Sequence, residues 1–309
     1  MKLRHFPENW PVTAGPEHEY RPKDRNWQAG VSDGRKTGYR DVPQIPQGVR
    51  KRGSMDTRHP LIEVAEQVRE QSRAFTVAVI FDLDSTLFCV SPRTQHILRQ
   101  LGHDREFSDQ HAEAAEILRH IEVLPTDWGV RQALERTRLK PTPELAHLIR
   151  NYWRRHFFSS HLLDKDHIYP SANEYVRHLH DLGADILYLT GRNEAHMKAG
   201  TLRALMHWGF PFYAESKLIM KPNEIETDES FKAHVLKRLV QSYDHIWFFE
   251  NEPVIIDQVR SLVPQVHIVF VNSVHSGQGV APEDLRTIAP SYSAGLTSGS
   301  PQQKPRSSK

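Results

Sequence analysis

Residues 75–87 read FTVAVIFDLDSTL, a short apolar run that is followed at once by two aspartates, a serine and a threonine. A nearly continuous apolar run such as Phe75–Phe81 is typical of a strand that is buried on both faces of a parallel sheet. Such a sheet needs helices on both sides, and its ligands lie beyond the carboxyl ends of the strands. The stretch therefore predicts an α/β fold whose functional site includes Asp82 and Asp84.

Four more apolar runs of the same kind follow along the chain. They are Ala184–Leu189, Lys217–Met220, His245–Phe249 and His267–Val271. Thr190-Gly191-Arg192 follows the first of these runs, and Glu250-Asn251-Glu252 follows the third. Because the carboxyl ends of parallel strands share one edge of a sheet, we expect carboxylates and a hydroxyl to meet at one crevice.

The rest of the sequence predicts how the chain is divided. Residues 1–58 are rich in proline and charge without an apolar period, which predicts an extended basic arm. About a hundred residues separate the first two apolar runs, more than one crossover helix needs. Apolar side chains at helical spacing predict an inserted helical cap over 91–164, in a core formed by 59–90 and 165–281. Residues 282–309, rich in Ser, Pro, Gly and Gln, predict a disordered tail.

Composition excludes several classes of protein. The chain has 309 residues and one cysteine, which excludes an internal disulfide and a cysteine cage for zinc or iron-sulfur clusters. No apolar run approaches the roughly 20 residues that span a bilayer, so we expect a cytoplasmic protein without membrane contact. Residues 1–60 carry 12 Lys and Arg against 7 Asp and Glu, but the charges are interspersed. This pattern favours a solvated extension over a nucleic-acid partner.

The two aspartates carry the chemistry. Asp82 and Asp84 are two residues apart at the end of a buried strand, and like charges this close repel unless a cation or a shared proton compensates. Mg²⁺ takes one or two carboxylates together with water and phosphate oxygens. An aspartate can attack phosphorus while a second acid donates a proton to the leaving oxygen. The pair therefore predicts phosphoryl chemistry with Mg²⁺ as cofactor.

Four motifs together resemble a known family. Residues 81–87, FDLDSTL, resemble the first motif of the haloacid-dehalogenase-like hydrolase superfamily, an apolar strand followed by DxDxT. Tyr188–Arg192 resembles its second motif, Ser230–Lys232 its third and Trp247–Glu252 its fourth. The motifs occur in the family's order over about residues 60–280. The resemblance implies a three-layer Rossmann-like parallel sheet with an α-helical cap between the first and second motifs.

The resemblance also implies a role for each matching residue. Asp82 is implied as nucleophile and metal ligand, and Asp84 as general acid/base with its backbone carbonyl on the metal. Thr190 is implied as a hydroxyl donor to the phosphoryl group, Lys232 as the cation that neutralises it, and Glu250 as the acidic metal ligand. Dehalogenases of the superfamily do not need the second aspartate, so the presence of Asp84 favours a phosphatase.

The two residues that follow the threonine of the second motif, Gly191 and Arg192, are candidates for substrate binding. The backbone N–H of Gly191 is expected to contribute to an anion cradle. Arg192 is placed in the substrate site, but an arginine in this position can equally pair with a carboxylate of the loop.

Two details depart from the family's pattern. The fourth motif is usually built on Asp, whereas this chain has Glu250 and Glu252 around Asn251, which leaves open which glutamate contacts the metal. Lys221, which follows the apolar run Lys217–Met220, competes with Lys232 for the role of the motif lysine. We favour Lys232 because it begins the helix that leads to the strand bearing Glu250.

These observations predict a Mg²⁺-dependent hydrolase of phosphate monoesters that works through an aspartyl-phosphate. Its partner would be a small phosphorylated substrate, which the helical cap selects. The alternative is a binding or scaffold protein that has kept the fold, has lost turnover and uses its basic arm to engage a partner. The complete set of Asp82, Asp84, Thr190 and Lys232 favours the enzyme.

Overall fold

The structure, a computed structural model, describes residues 58–296 with the exception of residues 213, 215, 216 and 224. The arm predicted over residues 1–58 therefore lies outside the described residues, apart from Arg58. No helix in this described part combines the length and the apolar character that crossing a bilayer requires.

The strands follow the apolar runs of the sequence. They are β1 (Val77–Phe81), β2 (Phe88–Cys89), β3 (His167–Ile168), β4 (Asp185–Asn193), β5 (Leu218–Lys221), β6 (His245–Glu250), β7 (His267–Val271) and β8 (Arg286–Ile288). Within the described residues, six strands form one sheet in the order β5-β4-β1-β6-β7-β8, and all neighbouring pairs are parallel. The predicted α/β fold is confirmed.

Ten α-helices are present in the described part of the chain. They are α1 (Pro60–Gln71), α2 (Ser91–His103), α3 (Arg105–Gln110), α4 (Ala112–Arg119), α5 (Gly129–Glu135), α6 (Pro143–Phe157), α7 (Ala172–Asp181), α8 (Glu194–His207), α9 (Asp228–Leu239) and α10 (Pro253–Leu262).

Helices cover both faces of the sheet. Along β1, Val79 and Phe81 point into the apolar core formed with α1, α7 and α8, whereas Ala78 and Ile80 point into the core formed with α9 and α10. Successive side chains of a strand alternate between its faces, so a strand that is apolar at every position has to be covered twice. The sheet and the helices on its two faces therefore form three layers.

The position of β1 in the sheet decides where the site forms. Phe81 at its end is in register with Tyr188 of β4 and with Phe249 of β6. The residues that follow these positions, Asp82 and Glu250 among them, consequently emerge side by side at the same edge of the sheet.

Residues 91–157 form the five helices α2 to α6 between β1 and β4, with an apolar cluster of their own that includes Leu98, Leu118 and Ile149. The longest of these helices begins with a strong local signal, because the Thr142 side chain accepts a hydrogen bond from Leu145 N and Pro143 occupies the first turn. At the base of this insertion β2 pairs antiparallel with β3. The two chain connections of the insertion therefore lie next to each other.

The prediction of a disordered tail from residue 282 is wrong for residues up to 296. Strand β8 adds to the sheet beside β7, and a short 3-10 helix follows over Ser293–Leu296. Between them, Tyr292 is completely buried, and its hydroxyl donates to the carbonyl oxygen of Thr86 at 2.9 Å. The composition of the segment is polar, but the buried side chains of Ile288 and Tyr292 join it to the apolar core.

Replacing Tyr292 tests this anchoring. We expect Tyr292→Ala to lower the free energy of unfolding by about 3–5 kcal/mol, since it empties a buried aromatic site. Tyr292→Phe should cost about 1–2 kcal/mol, because it leaves the Thr86 carbonyl without its donor. The measurement is urea unfolding, with Val280→Ala at an exposed position as the control that should change little. An unchanged urea midpoint for Tyr292→Ala would show that residues 286–296 do not support the fold.

Candidate active site

A tight turn carries both aspartates away from the end of β1. The N–H of Asp82 still donates to the carbonyl oxygen of Phe249 at 3.0 Å, and that of Leu87 turns back to Leu83 O at 2.9 Å. Ser85 adopts a left-handed backbone conformation with φ of 63°. The turn is thus held to β6 while it places Asp82 and Asp84 at the edge of the sheet.

Asp82 shares a buried cation with a second carboxylate. The Lys232 ammonium lies 2.6 Å from Asp82 Oδ1 and 2.7 Å from Glu250 Oε2, and all three side chains are buried. Burial, together with the negative charge of Glu250, raises the pKa of Asp82 to about 7 even though the lysine opposes this shift. The two carboxylates raise the pKa of Lys232 against the effect of its burial. This cluster has one cation for two anions.

Asp84 is surrounded by arginines. Arg192 contacts both of its carboxylate oxygens, with Nη2 at 2.6 Å from Oδ1 and Nε at 3.1 Å from Oδ2, and Arg93 Nη2 lies 3.2 Å from Oδ1. Burial by itself would raise the pKa of Asp84, but the two guanidinium groups outweigh it and lower this pKa to about 2. Asp166, on the other side of the arginines, completes the group. Asp84 is therefore a carboxylate in this arrangement.

Thr190 and Gly191 lie at the end of β4, beside this edge. The buried Thr190 Oγ1 accepts a hydrogen bond from Arg192 N at 3.2 Å, which leaves its own hydrogen available to another acceptor. A Cβ on Gly191 would come within 2.4 Å of Asp228 Oδ2, so a larger residue here would require the exposed Asp228 side chain to move.

The geometry separates the alternatives that the sequence leaves open. Lys232 reaches Asp82, whereas Lys221 forms an ion pair with Asp228. Arg192 pairs with the loop carboxylate, and with 1% of its side chain exposed it presents almost no surface to a substrate.

The two glutamates of the fourth motif also differ. Glu250 Oε1 accepts hydrogen bonds from the N–H groups of Asn251 and Glu252, and its other oxygen faces Lys232. Glu252 accepts from the backbone N–H and the hydroxyl of Ser276 in a neighbouring loop. Glu250 thus belongs to the cluster around Asp82, and Glu252 binds the loop.

Sequence reasoning misses Arg93 and Asp166. Arg93 follows the first proline of α2 within a polar helix, and Asp166 lies in the charged stretch Asp164–Asp166. Neither position stands out locally as the apolar runs do, because the 72 residues between them belong to the insertion that brings them together. Asn251, which accepts a hydrogen bond from Thr86 Oγ1 at 3.1 Å, is also without a sequence-based role.

The donor set is compatible with a hard cation. No cluster of three or more His, Cys, Asp or Glu side chains arranged for a metal occurs among the described residues. Mg²⁺ does not require one, since it binds through one or two carboxylates, water and substrate oxygens. The cluster of Asp82, Glu250 and Lys232 carries excess negative charge, and no described hydrogen-bond donor contacts Asp82 Oδ2. A divalent cation beside Asp82 would offset this negative charge.

The family assignment follows from a comparison with protein-family models. The model of the haloacid dehalogenase-like hydrolases matches residues 76–254, more than half of the chain. The chain belongs to this family. The matched range begins one residue before β1 and ends within the first turn of α10, so it contains the haloacid dehalogenase-like motifs and the complete insertion.

Solved structures give more distant likenesses. A protein from Burkholderia xenovorans LB400 assigned as a haloacid dehalogenase-like hydrolase is 16% identical with a TM-score of 0.41, covering 72% of this chain and 96% of that one. A predicted phosphoglycolate phosphatase from Haemophilus somnus is 14% identical with a TM-score of 0.41, covering 70% and 94%. A predicted phosphatase from Clostridium acetobutylicum is 15% identical with a TM-score of 0.39, covering 64% and 85%. No curated protein matches the chain.

Removing the shared cation tests the cluster around Asp82. We expect Lys232→Met to lower the free energy of unfolding by about 3–5 kcal/mol, because it leaves two buried carboxylates without their cation. Lys237→Met, at an exposed position of the same helix, should change stability by less than about 0.5 kcal/mol. Urea unfolding at neutral pH measures both variants. Equal stability of the two variants would contradict the buried ion pairs.

Proposed function

We propose that the protein is a Mg²⁺-dependent phosphatase that hydrolyses phosphate monoesters through an aspartyl-phosphate on Asp82. The observation that carries this proposal is the orientation of Asp82. One of its oxygens is held by Lys232, and the other has no donor among the described residues. A carboxylate fixed in this way at the crevice of a parallel sheet is suited to attack a bound phosphoryl group.

The first half-reaction transfers the phosphoryl group to the enzyme. As the substrate binds, Asp84 takes up a proton from solvent water. Asp82 Oδ2 then forms a bond to phosphorus as the bond from phosphorus to the leaving oxygen breaks, and Asp84 gives that oxygen its proton. Thr190 donates its hydroxyl hydrogen to a phosphoryl oxygen, and Lys232 stabilises the charge that develops around Asp82. The negative charge of the bound phosphoryl group opposes the arginines beside Asp84 and so raises its proton affinity.

The second half-reaction releases phosphate. A water molecule attacks phosphorus, the bond between phosphorus and Asp82 breaks, and Asp84 takes the proton of the water. Asp84 is a carboxylate between Arg93 and Arg192, which is the form that accepts a proton. The same residue thus serves as acid in one step and as base in the next.

The cation would be held by Asp82, the backbone carbonyl of Asp84 and Glu250. When bound there, Mg²⁺ supplies positive charge that offsets the negative charge of the phosphoryl group and of its attacker. The excess of carboxylates over ammonium groups around Asp82 supports this placement.

Helices α2 to α6 would act as the cap that selects a small phosphorylated substrate. Two observations support this role. Arg93 of α2 reaches Asp84 itself, and the paired strands β2 and β3 place the base of the insertion directly after the turn that carries the aspartates.

Asp82→Asn tests the nucleophile. We expect hydrolysis of para-nitrophenyl phosphate in the presence of Mg²⁺ to fall by about 1,000-fold or more, because an amide cannot act as the nucleophile. Wild-type activity should disappear with EDTA and return with Mg²⁺. Asp257→Asn, an exposed aspartate on α10, is the matched control and should retain full activity. An inactive wild-type protein would favour the binding or scaffold alternative.

A titration with Mg²⁺ compares the two glutamates. Glu250→Gln should raise the Mg²⁺ concentration for half-maximal activity about tenfold or more, since it removes a charge next to Asp82. Glu252→Gln should shift it by less than about threefold, because that side chain binds Ser276 instead. Circular dichroism checks that both variants are folded. The opposite order of the two shifts would place the ligand on Glu252.

A further inference from the structure

Three charged residues lie on the buried side of Asp84. The arginine cluster, defined here as Arg93, Asp166 and Arg192, is joined by ion pairs of both arginines with Asp166, at 3.0 Å from Arg93 Nε to Oδ1 and 3.1 Å from Arg192 Nη2 to Oδ2. Both guanidinium groups also contact Asp84. The two arginines therefore hold Asp84, and Asp166 in turn holds the two arginines.

The arginine cluster is buried, whereas Asp84 is partly exposed. The side chains of Arg93 and Asp166 are 0% exposed and that of Arg192 is 1% exposed, whereas Asp84 is 32% exposed. Only Asp84 has surface with which to meet a substrate. The arginine cluster lies too deep for direct contact and acts through Asp84.

Charge explains why Asp166 is needed. The two guanidinium groups have like charges and both lie within hydrogen-bond distance of the same Asp84 oxygen, so they repel each other. Among the described residues, Asp166 is the carboxylate besides Asp84 that contacts both of them. Without its charge, Asp84 alone would face two buried cations and would be drawn toward them, away from the crevice.

The cluster also connects the insertion to the site. Arg93 lies in the first turn of α2, and its Nη1 donates to the carbonyl oxygen of Phe157 at the end of α6, 3.1 Å away. Asp166 directly precedes β3. Both ends of the helical insertion thus meet at the residues that hold Asp84.

We propose that Arg93 and Asp166 are positioning residues of the hydrolysis, which hold the Asp84 carboxylate in the place from which it exchanges a proton with the leaving group. This inference rests on the proposed function, since it takes Asp84 as the acid/base. It differs from a purely structural role in one respect. Loss of a structural ion pair lowers the amount of folded enzyme, whereas loss of positioning changes which substrates are turned over.

The test compares two phosphate esters with Asp166→Asn. Phenyl phosphate has a poor leaving group and depends on protonation, while para-nitrophenyl phosphate has a good one. We expect kcat for phenyl phosphate to fall about 10- to 100-fold, and kcat for para-nitrophenyl phosphate by less than about threefold, with KM nearly unchanged for both. Equal losses with both esters would overturn the positioning role.

A double-mutant cycle gives the second readout. In an Asp84→Asn background, Asp166→Asn should change kcat for phenyl phosphate by less than about twofold, because the residue through which it acts is gone. A full additional loss in that background would overturn the proposal. Asp127→Asn is the matched control, since Asp127 is a buried aspartate of the insertion paired with Arg136, and it should leave the ratio of the two esters unchanged.

Arg93→Lys provides the same test if Asp166→Asn does not fold. It keeps the positive charge but loses the planar fork that contacts Asp84, Asp166 and Phe157 together. We expect the same selective loss with phenyl phosphate. A wild-type protein that hydrolyses neither ester would overturn the proposed function and this inference with it, whereas active wild type with unselective losses would overturn the inference alone.

Discussion

The buried ammonium of Lys232 is the constraint on which the site depends. A buried charge costs several kcal/mol unless it is paired, so Lys232, Asp82 and Glu250 have to be in place together. These three residues come from α9, from the turn after β1 and from the end of β6. Their meeting requires β1 and β6 to be neighbours in the sheet and α9 to begin at the edge where both strands end.

Two aspartates only two residues apart experience opposite surroundings. Leu83 between them is completely buried, and the backbone turn directs Asp82 toward one lysine and Asp84 toward two arginines. The surroundings of Asp82 raise its pKa, and those of Asp84 lower its pKa. The pKa values separate because burial and Glu250 outweigh one lysine at Asp82, whereas two arginines outweigh burial at Asp84.

The sequence predicts those parts of the structure that have a local signal. The five apolar runs become strands. The choice of Lys232 as the motif lysine follows from its place in the sequence, since it lies near the start of the helix that precedes the strand carrying Glu250. Strand β8 was missed because three residues with one buried side chain give no apolar run, and the composition around Tyr292 is that of a tail. Arg93 and Asp166 meet only because the insertion brings its two ends together. A single sequence contains no pattern that links them.

The pairing of β2 with β3 has a consequence for how such a protein can diversify. Because the chain leaves the core and re-enters it at adjacent points, the segment between them can change in length or be exchanged without altering the order of the central strands. The arginine cluster limits that freedom. An exchanged segment that lacked a counterpart of Arg93 would be compatible with the core as a fold, yet it would leave Asp84 held from one side only. The helices of the insertion can therefore be exchanged, but the residues at the two ends of the insertion that contact the arginine cluster or Asp84 have to be kept.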